Sequence, residues 1–181
     1  TIIGQTEDMS NLVTITAATD RRHFTIGTTT ASAGHTLNLW HVKLTGGDVS
    51  SNTQNRGGSI FIDDDGGELK LYYSELSGNK ATSGSGVYGK GDSDTNRNAI
   101  VNIYNSVIKD NEAVLSGGGM FLKNTVTKIE NTVIENNEVK YGGGVYVKDG
   151  DVTITNSKIS SNDASIDAGG LYIYDLSLIH I

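Results

Sequence analysis

The chain has no cysteine and no proline, only one tryptophan, and fewer basic than acidic residues. Without cysteine there are no disulfides and no thiolate metal sites. With Lys and Arg at 14 against 21 Asp and Glu, the net charge of −7 argues against nucleic acid and anionic membrane surfaces as partners. No hydrophobic run is long enough for a transmembrane helix, so no direct membrane insertion is expected. There is also no signal peptide. The chain opens on Thr1 in what reads as the middle of a strand and turn, so the missing leader is not evidence for the cytoplasm. No window carries a helical apolar stripe. Apolar content of 36% is lean for an ordinary globule but enough to fill a narrow column.

What is present is repetition. A glycine-rich motif recurs as Gly57-Gly58-Ser59-Ile60-Phe61-Ile62, Gly84-Ser85-Gly86-Val87-Tyr88, Gly117-Gly118-Gly119-Met120-Phe121-Leu122, Gly142-Gly143-Gly144-Val145-Tyr146-Val147 and Ala168-Gly169-Gly170-Leu171-Tyr172-Ile173. A second motif keeps step with it. Asn105-Ser106-Val107-Ile108-Lys109-Asp110-Asn111 returns as Asn131 to Asn137 and as Asn156 to Asn162, with weaker copies at Tyr73 to Asn79 and His41 to Gly47. Ile108 and Ile134 lie 26 residues apart, and Ile134 and Ile159 lie 25 apart. A period of this size marks a solenoid. Inside each unit the apolar period is two, as in Leu37/Leu39, Leu69/Leu71, Val101/Ile103 and Val152/Ile154, which is the pattern of strands with one buried face. The expected unit is strand, turn, strand, Gly-rich turn, strand.

Successive units are too alike for a sandwich or barrel. The expected fold is all-β, a parallel β-helix (β-solenoid) of roughly six coils, about 30 Å long at a strand spacing of about 4.8 Å. Asparagine suits its corners, because it tolerates left-handed dihedrals and satisfies stranded backbone groups. Asn79, Asn111, Asn137 and Asn162 are expected to pass amide hydrogen bonds from coil to coil, and Asn105, Asn131 and Asn156 to form a second such column. Gly89 replaces an inward aliphatic residue, so a local packing defect is expected there. Lys128 interrupts the alternation around Val126 to Ile129, which suggests a bulge.

Residues 1–175 read as a single solenoid segment truncated at both ends. Leu176-Ser177-Leu178-Ile179-His180-Ile181 looks like the frame translation of a transposase adaptor used in preparing sequencing libraries, against the alternative that it is the strand of a next coil.

The pairing of the two motifs resembles the GGA[ILV] and FxxN repeats of chlamydial polymorphic membrane proteins and related bacterial surface proteins. The first motif appears here as Gly142 to Val147. The second has an aliphatic residue in place of Phe, at Ile108 to Asn111, Ile134 to Asn137 and Ile159 to Asn162. Arg22 to Ile26, Ala33 to Leu39 and Val42 to Gly47 look like the usual opening of such solenoids. The resemblance covers roughly residues 12–175 and implies a right-handed parallel β-helix of the pectin-lyase-like kind. That fold hosts lyases, hydrolases, adhesins and passenger domains, so it leaves function open.

The pectinolytic members of that group need clustered aspartates with Arg or Lys on adjacent coils, and a glycosidase needs two carboxylates at a set separation. Glu75, Lys109 and Glu135 form no such constellation, and Asp110 aligns with Asn136 and Ser161. No catalytic residue is assigned. Asp92, Asp94 and Asn96 have the alternating oxygen ligands that begin a calcium loop, but Arg97 stands where the turn glycine belongs and no glutamate closes the loop. Asp63-Asp64-Asp65-Gly66-Gly67-Glu68 is a second candidate for a hard cation, with a charged turn as the plainer reading of both. His23, His35, His41 and His180 share no ligand spacing, and no cofactor is expected. Thr14, Thr16, Thr153 and Thr155 hint at an ice-binding array, which Lys70, Asn102 and Lys128 interrupt.

Phe61, Tyr88, Phe121, Tyr146 and Tyr172 occupy one place in five units and point outward. Rings one coil apart stabilise a sheet by stacking. They also offer a flat strip for a sugar chain or a partner protein. The expectation is a non-catalytic, extracellular or cell-surface segment, adhesin-like or passenger-like, with polysaccharide or a host or cell-surface protein as partner. The alternative is a piece of a polysaccharide-active enzyme or a carbohydrate-binding solenoid.

Overall fold

The computed structural model describes residues 2–3, 9–27, 35–51, 55–63, 66–93, 98–175 and 178–181. The chain is a parallel β-helix. Every strand pairing is parallel, and each strand pairs with the equivalent strand one coil earlier or later. Among the described residues the coils build four sheets of seven, six, four and six strands.

One coil shows the path. Ala99–Tyr104 lies in sheet I, Val107–Lys109 in sheet II, Glu112–Ser116 in sheet III and Met120–Lys123 in sheet IV, after which Thr125–Glu130 re-enters sheet I. Where sheet III is present a coil therefore has four strands rather than the three read from sequence. The extra one is sheet III: Lys80–Ser83, Glu112–Ser116, Glu138–Tyr141 and Asp163–Asp167. Its inward positions hold Ala81, Ala113, Val139 and Ala164, joined by Ser83 on the first strand, so no apolar alternation advertises it. Among the described residues no helix is long and apolar enough to cross a membrane.

The core is a column of stacked aliphatic side chains. Leu39, Leu71, Ile103, Ile129 and Ile154 run down sheet I, and Leu44, Leu76, Ile108 and Ile134 down sheet II, nearly all of them fully buried. In-register pairing sets each branched side chain against its equivalent, which packs the pleated inner faces without gaps.

Two local expectations are corrected. Sheet I runs without a bulge through Val126 to Ile129, in continuous register with Ile100 to Ile103 on one side and Asp151 to Ile154 on the other. Thr125, Thr127 and Ile129 point inward while Val126 and Lys128 face solvent, so the interior accepts two hydroxyls and the alternation holds. The register shift lies in sheet III, between Glu112 and Ser116. At Gly89 there is no void. An added Cβ would meet Val101 Cγ2 at 3.3 Å, Thr125 Cγ2 at 3.4 Å and Leu122 Cδ2 at 3.5 Å, so neighbouring coils already fill the place.

Candidate recognition face

Sheet IV carries the ring column. Each ring follows a glycine-rich corner whose first residue is left-handed: Gly57, Gly84, Gly117 and Gly142 have φ of 61 to 66°, and Ala168 takes φ 51° in the fifth unit. At Gly84 a Cβ would sit 2.5 Å from Val87 O and 2.9 Å from Tyr88 Cα, so the corner closes directly beneath the ring. The strand then alternates inward aliphatic and outward ring, as in Val145-Tyr146-Val147.

In-register pairing stacks Phe61, Tyr88, Phe121, Tyr146 and Tyr172, with centroids 5.4, 4.8, 4.9 and 5.0 Å apart and planes within 18° of parallel. Ring faces therefore cover one another. Tyr88 is 4% exposed and its neighbours are half-buried. Burial raises the Tyr146 phenol above its usual range, helped by Tyr172, Tyr174 and Asp149. At the N-terminal end the Arg22 guanidinium lies 4.6 Å from the Phe61 centroid and that of Arg56 5.5 Å from the Tyr88 centroid. Burial lowers the Arg22 pKa, and the nearby Asp63 opposes it. A sugar stacks on an aromatic face, and those faces are already taken. The column can stabilise the sheet and offer phenol edges, but it has no run of open rings.

Beside the rings runs a second column. Lys90, Lys123 and Lys148 pair in register, and the next place is Tyr174. Lys148 Nζ lies 4.7 Å from the Tyr174 centroid. On other faces lysines form ion pairs, Lys43 with Glu75 at 2.9 Å, Lys70 with Glu68 at 2.9 Å, Lys80 with Glu112 at 2.6 Å and Lys128 with Glu130 at 2.8 Å. Like charges on adjacent strands destabilise a sheet. The outward places of these five strands, from Ile60–Ile62 to Leu171–Tyr174, hold rings and lysines and no acid, on a chain of net charge −7.

The asparagines form a ladder. Asn79 Nδ2 donates to Asn111 Oδ1 at 3.0 Å, Asn111 Nδ2 to Asn137 Oδ1 at 2.9 Å and Asn137 Nδ2 to Asn162 Oδ1 at 2.9 Å. Each amide also bonds to a backbone carbonyl, as Asn111 does to Leu76 O at 3.1 Å. Asn105, Asn131 and Asn156 align differently. They hold left-handed corners, with φ of 48, 49 and 48°, at the place filled by His41 and Tyr73 in earlier coils. There the coil-to-coil bonds belong to the backbone, Tyr73 N–H to Tyr104 O at 3.1 Å and Asn105 N–H to Glu130 O at 3.0 Å. Among the described residues no amide bond joins this second column.

A further ring stack is not evident in the sequence. Trp40, Tyr72 and Tyr104 lie on sheet I with centroids 4.1 and 5.1 Å apart, and Lys128 Nζ caps Tyr104 at 5.3 Å. Glu130 and Thr155 take the same place in later coils, which erases the pattern.

The remaining candidates do not converge. Thr14 and Thr16 belong to sheet II and Thr153 and Thr155 to sheet I, so they form no common array. Glu75 serves structure. Burial works to raise its pKa, but hydrogen bonds from Lys43 and Ser77 and the charge of Lys109 outweigh it and hold the carboxyl below its usual range. Asp94, Asn96, Asp64 and Asp65 of the two cation candidates lie outside the described residues. Among the described residues no group of three or more His, Cys, Asp or Glu side chains gathers as a metal site would need. Leu178–His180 pairs with Asp151–Thr155 as a strand of sheet I.

No family model, no curated protein and no solved structure matches the chain.

Proposed function

We propose that this chain is a non-catalytic scaffold of the extracellular or cell-surface kind, adhesin-like or passenger-like, that presents sheet IV to a partner. The observation that carries the reading is the face itself: five stacked rings edged by in-register Lys90, Lys123 and Lys148, on an otherwise acidic chain. Stacked rings give a stiff, flat surface, and the three lysines set positive charge along its edge. The acids described here are spread over ion pairs and corners rather than gathered in a cleft, which suits binding better than hydrolysis or elimination. The motif likeness to polymorphic membrane proteins points the same way.

A second reading, a carbohydrate-binding solenoid or part of a polysaccharide-active enzyme, is favoured by the lysine column alone, since three ammonium groups one coil apart suit an acidic glycan. The test is a binding assay with polygalacturonate, a neutral glucan and whole cells, run beside a turnover assay on the same glycans. Cell binding without turnover supports the scaffold, and its loss in Lys123→Glu/Lys148→Glu ties it to sheet IV. Turnover of either glycan overturns the non-catalytic reading. Binding to polygalacturonate alone moves the chain to the second reading.

A further inference from the structure

His23 is built into a joint between three strands. Its Nε2 lies 3.0 Å from Ile15 O and 3.1 Å from Thr45 O, and its Nδ1 lies 3.1 Å from Ser59 Oγ. Both Nε2 partners are carbonyls, so Nε2 carries the hydrogen and donates to both. Nδ1 then accepts from the Ser59 hydroxyl. The neutral ring is fully satisfied in this position. It ties Val13–Thr16, which ends sheet II among the described residues, to Val42–Thr45 and to the residue that leads into Ile60–Ile62 of sheet IV.

We propose that His23 is an acid-sensitive latch, whose protonation releases Val13–Thr16 and bares the edge of Val42–Thr45. A second N–H at Nδ1 would face the fully buried Ser59 hydroxyl, which now points its own hydrogen there. The ring is also partly shielded from water, which disfavours the cation and lowers its pKa, with the two carbonyl bonds acting the other way. No acid offsets this. Val13–Thr16 brings no charge, Val42–Thr45 brings Lys43, and Ile60–Ile62 brings none, with Asp63 beyond it set against Arg22. The histidine's own segment brings Asp20, Arg21 and Arg22, and Asp48 meets that segment through its N–H to Arg21 O.

The sign follows from linkage. Once the strand is released, His23 titrates near the ordinary value of about 6.5. The docked ring binds its proton less readily. Docking is therefore at full strength above that value and weakens as pH falls toward the docked one. Among the described residues Val13–Thr16 pairs with one neighbour, and Val13 is 48% exposed, so its release breaks few of these contacts. What it uncovers is a row of backbone groups, including His41 O and Thr45 O, which now accept from Val13 N–H and Ala17 N–H. Such an edge takes up another extended segment readily.

Amide hydrogen exchange on the full chain tests this, read as protection factors between about pH 7.5 and about pH 5, the range in which histidine titrates. Val13 and Ala17 should lose protection on acidification and regain it on neutralisation, while Ile108 and Ile134 stay protected. His23→Gln keeps an amide donor for the carbonyls and should remove the pH dependence, and His35→Gln should keep it. Full protection of Val13 and Ala17 at about pH 5 overturns the latch, as does loss of protection in His23→Gln at the wild-type pH. If His23→Gln does not fold, the wild-type ring is followed by NMR. A His23 titration that leaves the Val13 and Ala17 signals unmoved overturns the proposal equally.

Discussion

The side-chain oxygen of Asn137 accepts two hydrogen bonds from Asn111, from its backbone N–H at 3.1 Å and from its side-chain amide at 2.9 Å. Asn137 in turn donates to Ile108 O at 3.1 Å, and it is fully buried. Asn137→Ala leaves two donors and one carbonyl without partners in a dry corner. Thermal or denaturant unfolding should show a loss of about 3 kcal/mol. Asn105, which holds a left-handed corner at φ 48°, behaves differently. Asn105→Ala should cost about 1 kcal/mol and Asn105→Gly almost nothing. Equal losses at the two sites would show that both asparagines act through dihedral preference alone.

Two glycines separate space from conformation. Gly89→Ala places its methyl 3.3 to 3.5 Å from the side chains of Val101, Thr125 and Leu122, at a backbone that other residues can adopt. Stability should stay within about 1 kcal/mol of wild type, because the contact is tight but the unfolded chain loses freedom. In Gly144→Ala the methyl would stand 2.7 Å from Gly170 O, a backbone atom that cannot turn aside. That variant should melt well below wild type by circular dichroism.

The hydroxyls inside sheet I make a pair. Thr127 Oγ1 donates to Thr125 Oγ1 at 3.1 Å, with 2% and 1% of each residue exposed. Thr127→Val alone strands one oxygen and should cost about 1 kcal/mol. The double change to valine removes both groups and fits a column in which Val101 and Val152 already flank Thr127. It should be neutral or stabilising by about 1 kcal/mol. A double variant less stable than the single one would point to a further role for Thr125.

Glu75 sets an acid limit on sheet II. Its carboxyl is held below the usual range, despite burial, by Lys43, Ser77 and Lys109. The unfolded chain therefore takes up the proton first. The stabilisation is complete above the ordinary carboxyl value of about 4.3 and is lost as pH falls through the folded one. Unfolding midpoints measured down that range should fall in the wild type and fall less in Glu75→Gln. Parallel curves would remove Glu75 as a cause.

The solenoid was legible because two motifs, one glycine-rich and one asparagine-rich, mark two corners of every coil. The ring column was legible for the same reason, since Phe61, Tyr88, Phe121, Tyr146 and Tyr172 each sit two residues after a glycine or serine corner. Its stacking was legible too, from the one-coil spacing, but the near-parallel tilt that leaves no run of open faces was not, because spacing says nothing of ring tilt. Sheet III left no trace, because its inward places hold Ala81, Ser83, Ala113, Val139 and Ala164, too small and mixed to form an apolar pattern. Trp40, Tyr72 and Tyr104 were passed over because their column changes chemistry at Glu130. The unbroken alternation through Lys128 was missed because the inward Thr127 is polar and leaves no apolar pattern to follow. His23 bonds to two carbonyls and one serine brought together from three strands, and no local pattern encodes backbone acceptors.

The asparagine ladder also has a mechanical meaning. Along it each side-chain amide donates toward the next coil in sequence, so all its dipoles point the same way, and the sheet bonds run along the same axis. A pull on the two chain ends does not stretch these bonds together; it peels one coil from the stack at a time. Neighbouring rungs are 32, 26 and 25 residues apart, so each coil that gives way frees about 90 to 110 Å of chain. Under tension the molecule would behave as a spool, paying out nearly equal lengths at a nearly constant force.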